Sequence, residues 1–307
     1  YSAHVRVGAV SFQKSIRIET IKPNRLKVKM SFDEKVLRGN QVVGKLHANW
    51  LTGATARSLK ADVSMQIRQQ NQPFEKFSKY NFNDETRSFY ASESTVFEGN
   101  LSAEGDAMPN IAMGNYEQSP GMLQAVFVTR VFEPGGDMSI DRQAFDYAPF
   151  DYFVGILPPT AKSSPWLQTD SPISVGIASV NADGKGQNRK LSAQVYAIDW
   201  SWWWSSGRNG LANYVNSSYV RSIGTFEINT KEGKGNFNFQ VKYPNYGNYL
   251  IRVCDEESGH CASQVVYVDW PMSRDRSGRS NPGAPTMLTF SADKESYNTG
   301  DVAHLSI

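Results

Sequence analysis

Residues 246–270 alternate apolar and polar side chains on either side of a short turn, and that period constrains the chain more than any other feature. Tyr249, Ile251 and Val253 share one face of the first arm, polar turn formers fill positions 255–259, and alternation resumes at Val265 and Tyr267 before Asp269 and Trp270. A repeat of two sends successive side chains to opposite faces of an extended strand, so the stretch predicts a β-hairpin. The same shape recurs where residues 122–131 lead through Glu133, Pro134, Gly135, Gly136 and Asp137 into 138–147. A third instance is expected at the start, with arms at 1–7 and 15–20. A long hairpin that returns about every 130 residues implies a module that closes the same way each time.

The chain has 307 residues, which suits two domains better than one. With 32 Lys and Arg against 30 Asp and Glu, charge gives no reason to expect nucleic acid as a partner. Aromatic residues make up 12% and Gly numbers 24, and Val, Ile and Tyr recur in short alternating runs, which favours β structure. No run of about 18 apolar residues is present, so no membrane span is expected in this segment. Nothing at the start resembles a signal peptide, and both ends fall inside strand-like patterns, so the sequence reads as a piece of a longer polypeptide.

Residues 1–22 read as the closing strands of a preceding domain, with Pro23 at the boundary because proline cannot donate to a ladder. Short strands with evenly spaced turns, and no amphipathic helix, then predict one β-sandwich over 23–148 and another over 149–271. The expected class is therefore all-β, with tandem seven-stranded sandwiches of the immunoglobulin or fibronectin type. The stretch 68–86 reads as a polar connection rich in Gln and Asn. Setting Leu59 beside Leu191, Gly105 beside Gly233 and Gly121 beside Gly247 gives offsets of about 126 to 132 residues, as a duplication with loop changes would. Residues 272–285, rich in Arg, Ser, Gly and Pro, read as a linker, with Arg274, Arg276 and Arg279 solvated. Residues 286–307 read as the first strands of a further module.

The sequence resembles the macroglobulin-like domains of bacterial alpha-2-macroglobulin family proteins over nearly its whole length. The resemblance rests on Ile198-Asp199-Trp200-Ser201-Trp202-Trp203-Trp204, on Tyr246-Gly247-Asn248-Tyr249 with Asp255, Gly259 and His260, and on Val266-Tyr267-Val268-Asp269-Trp270-Pro271. It rests also on Ala292-Asp293-Lys294-Glu295-Ser296-Tyr297-Asn298-Thr299-Gly300-Asp301 and on the loop Trp50-Leu51-Thr52-Gly53-Ala54. It implies a row of such domains in a large cell-envelope protein, periplasmic or an outer-membrane lipoprotein, that traps proteases of a host or competitor. Its nearest partners would be the neighbouring macroglobulin-like domains of the same chain. In many members a thioester built from Cys-x-Glu-Gln captures the attacker, but here Cys254 precedes Asp255-Glu256-Glu257 and Cys261 precedes Ala262-Ser263-Gln264. The segment is thus expected to be scaffold rather than enzyme and to need no cofactor, with any trapping chemistry lying elsewhere in the parent.

Two clusters offer other chemistry. Cys254 and Cys261 flank the turn of the opening hairpin, at a spacing that lets them face each other as a disulfide, which would place the chain in an oxidising compartment. Together with His260 they also suggest zinc, but structural zinc sites use two paired ligand clusters and only one is present. The disulfide is the better reading, with His260 exposed on the loop. Trp200, Trp202, Trp203 and Trp204 suggest a stacking platform for carbohydrate, and with it the alternative of a surface adhesin or glycan-binding module. Alternation places Trp203 opposite the other three, so packing or a domain contact explains the cluster more simply. For catalysis, His4, His47, His260 and His304 are dispersed, and no nucleophile, metalloprotease or phosphate-loop motif occurs. Asp141 with Asp146, and Glu256 with Glu257, read as solvated loop charge, and the sequons at Asn100 and Asn216 as chance matches.

Overall fold

The computed structural model describes residues 2–8, 10–15, 23–90, 92–160, 167–198, 221–270, 291–292 and 305–306. Trp200, Trp202, Trp203 and Trp204, the expected linker at 272–285 and most of 286–307 lie outside the described residues. At the start, β1 (Ser2–Val7) pairs antiparallel with β2 (Val10–Ser15), from Ser2 opposite Ser15 to Val7 opposite Val10. Gly8 at φ 63° turns the chain immediately after Val7, so the described part of the second arm is Val10–Ser15, and residues 16–20 of the arm expected at 15–20 lie outside the described residues.

The chain divides into two compact units, and the β1–β2 hairpin belongs to the first. The first gathers residues Tyr1–Arg68, Ala91–Gly114 and Gln124–Phe145. Its strands are β3 (Leu26–Ser31), β4 (Val36–Arg38), β5 (Gln41–Val43), β6 (Lys45–Trp50), β7 (Lys60–Gln69), β8 (Ser92–Asn100), β9 (Asp106–Ala107), β10 (Asn110–Ala112), β11 (Leu123–Phe132) and β12 (Met138–Ala148). A three-stranded sheet in the order β3-β6-β9 and a five-stranded sheet in the order β4-β12-β11-β7-β8 form the sandwich, with β5 and β10 as a separate ladder. Period-two burial runs through β3, where Leu26, Val28 and Met30 point inward and Lys27 and Lys29 outward. Removing each such apolar side chain from water stabilises the fold by about 1.5–3 kcal/mol. Phe127 is fully buried, with Phe32 at 5.1 Å and Phe145 at 5.9 Å between ring centroids.

The second unit is Gln69–Tyr90, Asn115–Leu123 and Asp146–Ile307. The connections at 69–90 and 115–123 group with this unit. Its strands are β13 (Tyr152–Leu157), β14 (Leu167–Gln168), β15 (Pro172–Asn181), β16 (Lys190–Ile198), β17 (Arg221–Asn229), β18 (Lys234–Gln240), β19 (Gly247–Cys254) and β20 (Cys261–Asp269), with β21 (Ser291–Ala292) and β22 (Leu305–Ser306) pairing separately. The sheets run β13-β15-β18 and β14-β20-β19-β16-β17, the same orders as in the first unit. They hold one strand more than the seven expected, because the two-residue β14 lies parallel to β20, Leu167 opposite Val268. Ile156, Val175, Ile177, Val195, Ile251 and Val253 lie at the centre of the core, each fully buried.

The duplication extends to local irregularities. A register shift falls between Val63 and Ser64 on β7 and again between Val195 and Tyr196 on β16, each against the strand that follows. One matched pair of glycines, Gly105 and Gly233, shares one function, whereas Gly121 and Gly247 differ in backbone conformation and surroundings. Gly105 and Gly233 adopt φ of 85° and 80°, a conformation that other residues reach only with strain. Ala48 N–H donates to Gly105 O, and Ser179 N–H donates to Gly233 O, both at 2.9 Å. A Cβ at either position would lie 2.4 Å from backbone, so the two turns need glycine on two counts.

Candidate functional site

The cysteine hairpin is formed by β19 and β20 in register, Tyr249 opposite Val266 and Cys254 opposite Cys261. The two cysteines form a disulfide with a Cα–Cα separation of 4.1 Å. Asp255 begins the turn: its N–H donates to His260 O at 2.9 Å and its O accepts from Gly259 N–H at 2.8 Å. Its carboxylate also accepts the N–H groups of Glu257 and Ser258 at 3.1 and 3.2 Å, so the side chain folds the loop that follows it.

Arg189, just before β16, completes this turn from the neighbouring strand. Its Nε and Nη2 donate to the two Asp255 oxygens at 2.7 and 3.0 Å, a bidentate pair, and Nη2 also reaches Glu257 at 2.8 Å. The guanidinium lies 4.3 Å over the Tyr152 ring. The bonds to Asp255 raise the Arg189 pKa further, and the Asp255 side chain is completely shielded from solvent. Glu257 is therefore a turn contact as well as an exposed acid, while Asp141 accepts from Gln143 Nε2 at 2.9 Å.

His260 was expected on the loop surface, and the structure corrects this: it has no exposure to solvent. The tight turn exposes Glu256, Glu257 and Gly259, while Asp255 at its start and His260, the last residue before β20, are both buried. Val154 N–H donates to Nδ1 at 2.9 Å, so the neutral ring carries its proton on Nε2 and donates it to Phe82 O at 3.1 Å. Phe150 and Phe153 flank the ring at 5.1 and 5.0 Å between centroids. Burial in this apolar surround pushes the imidazole down to about 3.

Phe82 belongs to the polar connection rich in Gln and Asn between β7 and β8. Asn81 and Ile156 exchange two backbone hydrogen bonds, N–H to O at 2.8 and 2.9 Å. Asn81 Nδ2 donates to Ser263 O, Ser263 N–H donates to Asn83 O, and Glu85 N–H donates to Ser263 Oγ at 2.7 Å. Asp84 is wholly buried and accepts from Arg252 Nε and Nη2 at 3.1 and 2.9 Å and from the Thr86 hydroxyl at 2.6 Å. Burial alone would raise the Asp84 carboxyl, but Arg252 and Thr86 outweigh it and hold it below the usual carboxylate range. Burial in turn lowers the nearby Arg87. Phe74 packs on Phe82 at 4.8 Å and on Phe153 at 5.6 Å. The apolar spacing of Phe74, Phe77 and Phe82 inside a polar stretch was the available signal, and composition masked it.

This arrangement determines what the cluster can do. The thiols are bonded to each other and both ring nitrogens of His260 are engaged, so the Cys254, His260 and Cys261 set has no donor to offer a metal. Among the described residues, no group of three or more His, Cys, Asp or Glu side chains is placed to hold a metal ion. His47 Nδ1 lies 2.6 Å from Asp106 on an exposed edge of the first unit. No helix among the described residues is long and apolar enough to cross a membrane.

Comparison with known proteins converges on one family. Residues 24–145 match the family model described as Bacterial Alpha-2-macroglobulin MG5 domain, and residues 155–270 match Bacterial macroglobulin domain 6. The chain belongs to the bacterial alpha-2-macroglobulin family. Curated relatives named Alpha-2-macroglobulin from two strains of Xylella fastidiosa, Temecula1 and 9a5c, are each 23% identical over 301 residues, covering 95% of this chain and 18% of the relative. The chain thus spans less than a fifth of those relatives. Among solved structures, trypsin-activated alpha-2-macroglobulin from Escherichia coli superposes with a TM-score of 0.61 at 17% identity, over 98% of this chain and 20% of that one. The native conformation of the E. coli protein gives 0.60 at 16%, over 97% and 19%. These likenesses show the fold, a tandem of macroglobulin β-sandwiches.

Proposed function

We propose that this chain is a non-catalytic scaffold segment of an alpha-2-macroglobulin-like endopeptidase inhibitor, and that the parent protein restrains attacking proteases in the cell envelope. The observation that carries the reading is the pair of consecutive macroglobulin domain matches over 24–145 and 155–270, on two sandwiches with the same strand order. The site chemistry agrees with a scaffold. Among the described residues, the buried Asp84, Glu133, Asp255 and His260 each have partners within the fold, as structural polar groups do. The disulfide supports an extracytoplasmic, oxidising compartment. Neighbouring macroglobulin-like domains of the parent are the segment's immediate partners, and proteases are partners of the whole protein. The glycan-binding alternative rested on Trp200, Trp202, Trp203 and Trp204, which lie outside the described residues, and no other observation favours it.

The test is to incubate the full-length parent with several endopeptidases of different specificity and resolve the mixtures on native gels. A protease-containing complex is expected with more than one of them. Unchanged mobility of every protease, with the parent either intact or merely degraded, would refute the inhibitory reading.

A further inference from the structure

We propose that residues 69–90 are a clasp of the second sandwich that opens by itself, before the strands of that sandwich separate, and that acidification drives the opening. The clasp is the connection between β7 and β8 in sequence, yet it is grouped with the second unit. After the last residue of β7 it contains the short 3-10 turn Glu75–Phe77 and the isolated antiparallel bridge of Asn81 with Ile156, so it is held by individual contacts rather than by an extended ladder. Those contacts centre on residues 81–86 and converge on the ends of β13, β19 and β20.

The hydrogen bonds at His260 supply the acid response. Nδ1 accepts the Val154 N–H while Nε2 donates to Phe82 O, an arrangement available only to the neutral ring. A second proton on Nδ1 would set N–H against N–H, and the cation would be sealed among Phe82, Phe150 and Phe153. The charged groups that face it come from each neighbouring element: Asp84 and Arg87 from the clasp, Asp255 from its own turn, and behind these Arg252 on β19 and Arg189 before β16. Asp84 would favour the cation, but it is already committed to Arg252 and Thr86. Withdrawing the clasp removes Phe82 and admits water to the ring, which then takes up its proton with an ordinary affinity. Closed clasp therefore binds fewer protons than open clasp between about pH 6.5 and 3, and the open population grows about tenfold for each pH unit lost in that window.

Amide hydrogen exchange on the intact chain tests this. The amides of 81–86 are well placed to report, since Asn81, Asp84 and Glu85 donate to Ile156 O, Pro120 O and Ser263 Oγ. After correction for intrinsic rates, they are expected to open more often than the amides of β15 and β16 at every pH, and about 50-fold more often at pH 4.5 than at pH 6.5. In His260→Gln, whose amide can still donate to Phe82 O but does not titrate, that pH dependence should flatten. Clasp amides that exchange in step with β15 and β16 would overturn the proposal, as would the same pH slope in His260→Gln. Should the variant fail to fold, the wild-type comparison of 81–86 against β15 and β16 decides alone.

Discussion

Asp84 and Arg252 are 168 residues apart in sequence and meet as an ion pair with Nη2 2.9 Å from Oδ2. The Asp84 side chain has no exposure and that of Arg252 retains 21%. Taking one partner away leaves a buried charge without compensation. Asp84→Ala should therefore destabilise the second unit by about 3–5 kcal/mol, and replacing both residues by leucine should cost less than the single change. Urea denaturation of the intact chain, followed by tryptophan fluorescence, would measure both.

The second unit should lose stability on mild acidification. His260 has a folded-state pKa of about 3, below its ordinary value of 6.5, so the unfolded chain binds the extra proton first. The stabilisation is complete above pH 6.5 and declines as pH falls toward 3, by about 1.4 kcal/mol per pH unit. Asp84, whose folded pKa is also lowered, adds a loss of the same sign only as pH falls through the usual carboxylate range. Urea midpoints at pH 7.5, 5.5 and 4.5 should fall for wild type, and the fall between 7.5 and 4.5 should be much smaller in His260→Gln.

Much of the architecture was legible because it depends on side-chain period. Tyr249, Ile251 and Val253 announce β19, Cys254 meets Cys261 across it, and Gly105 and Gly233 mark equivalent turns. The polar centre was not legible. Nothing in the alternation of β20 says that a tight turn aims His260 inward, and nothing local to 69–90 says that its partners are Ile156, Arg252 and Ser263. Those contacts join residues more than 70 positions apart, and sequence pattern speaks only about neighbours. The register shifts at Val63 and Val195 were equally silent, since a bulge depends on how two strands meet.

The two equivalent glycines should respond alike. Gly105→Ala and Gly233→Ala each force a Cβ toward backbone 2.4 Å away at positive φ, so each should cost on the order of 2–4 kcal/mol. Gly53→Ala, also at positive φ but with no atom within 4 Å, should cost less, about 1 kcal/mol. Thermal denaturation of the three variants would rank them.

Reduction of Cys254–Cys261 should weaken the hairpin without abolishing it, because Asp255, Arg189 and the β19–β20 ladder still close the turn. A bridge closing so short a loop is worth about 2 kcal/mol in the chain-entropy account. Urea denaturation with and without a reductant should show a shift of that size, and Arg189→Met in the reduced protein should add a larger one.

The proposed function of this segment is scaffold within a parent that restrains proteases. It is tested most directly by following digestion of casein by endopeptidases in the presence of the full-length parent and, separately, of the 307-residue segment. The parent should suppress digestion by several proteases, while the segment alone should neither hydrolyse casein nor protect it. Undiminished digestion with excess parent, or hydrolysis by the segment itself, would contradict it.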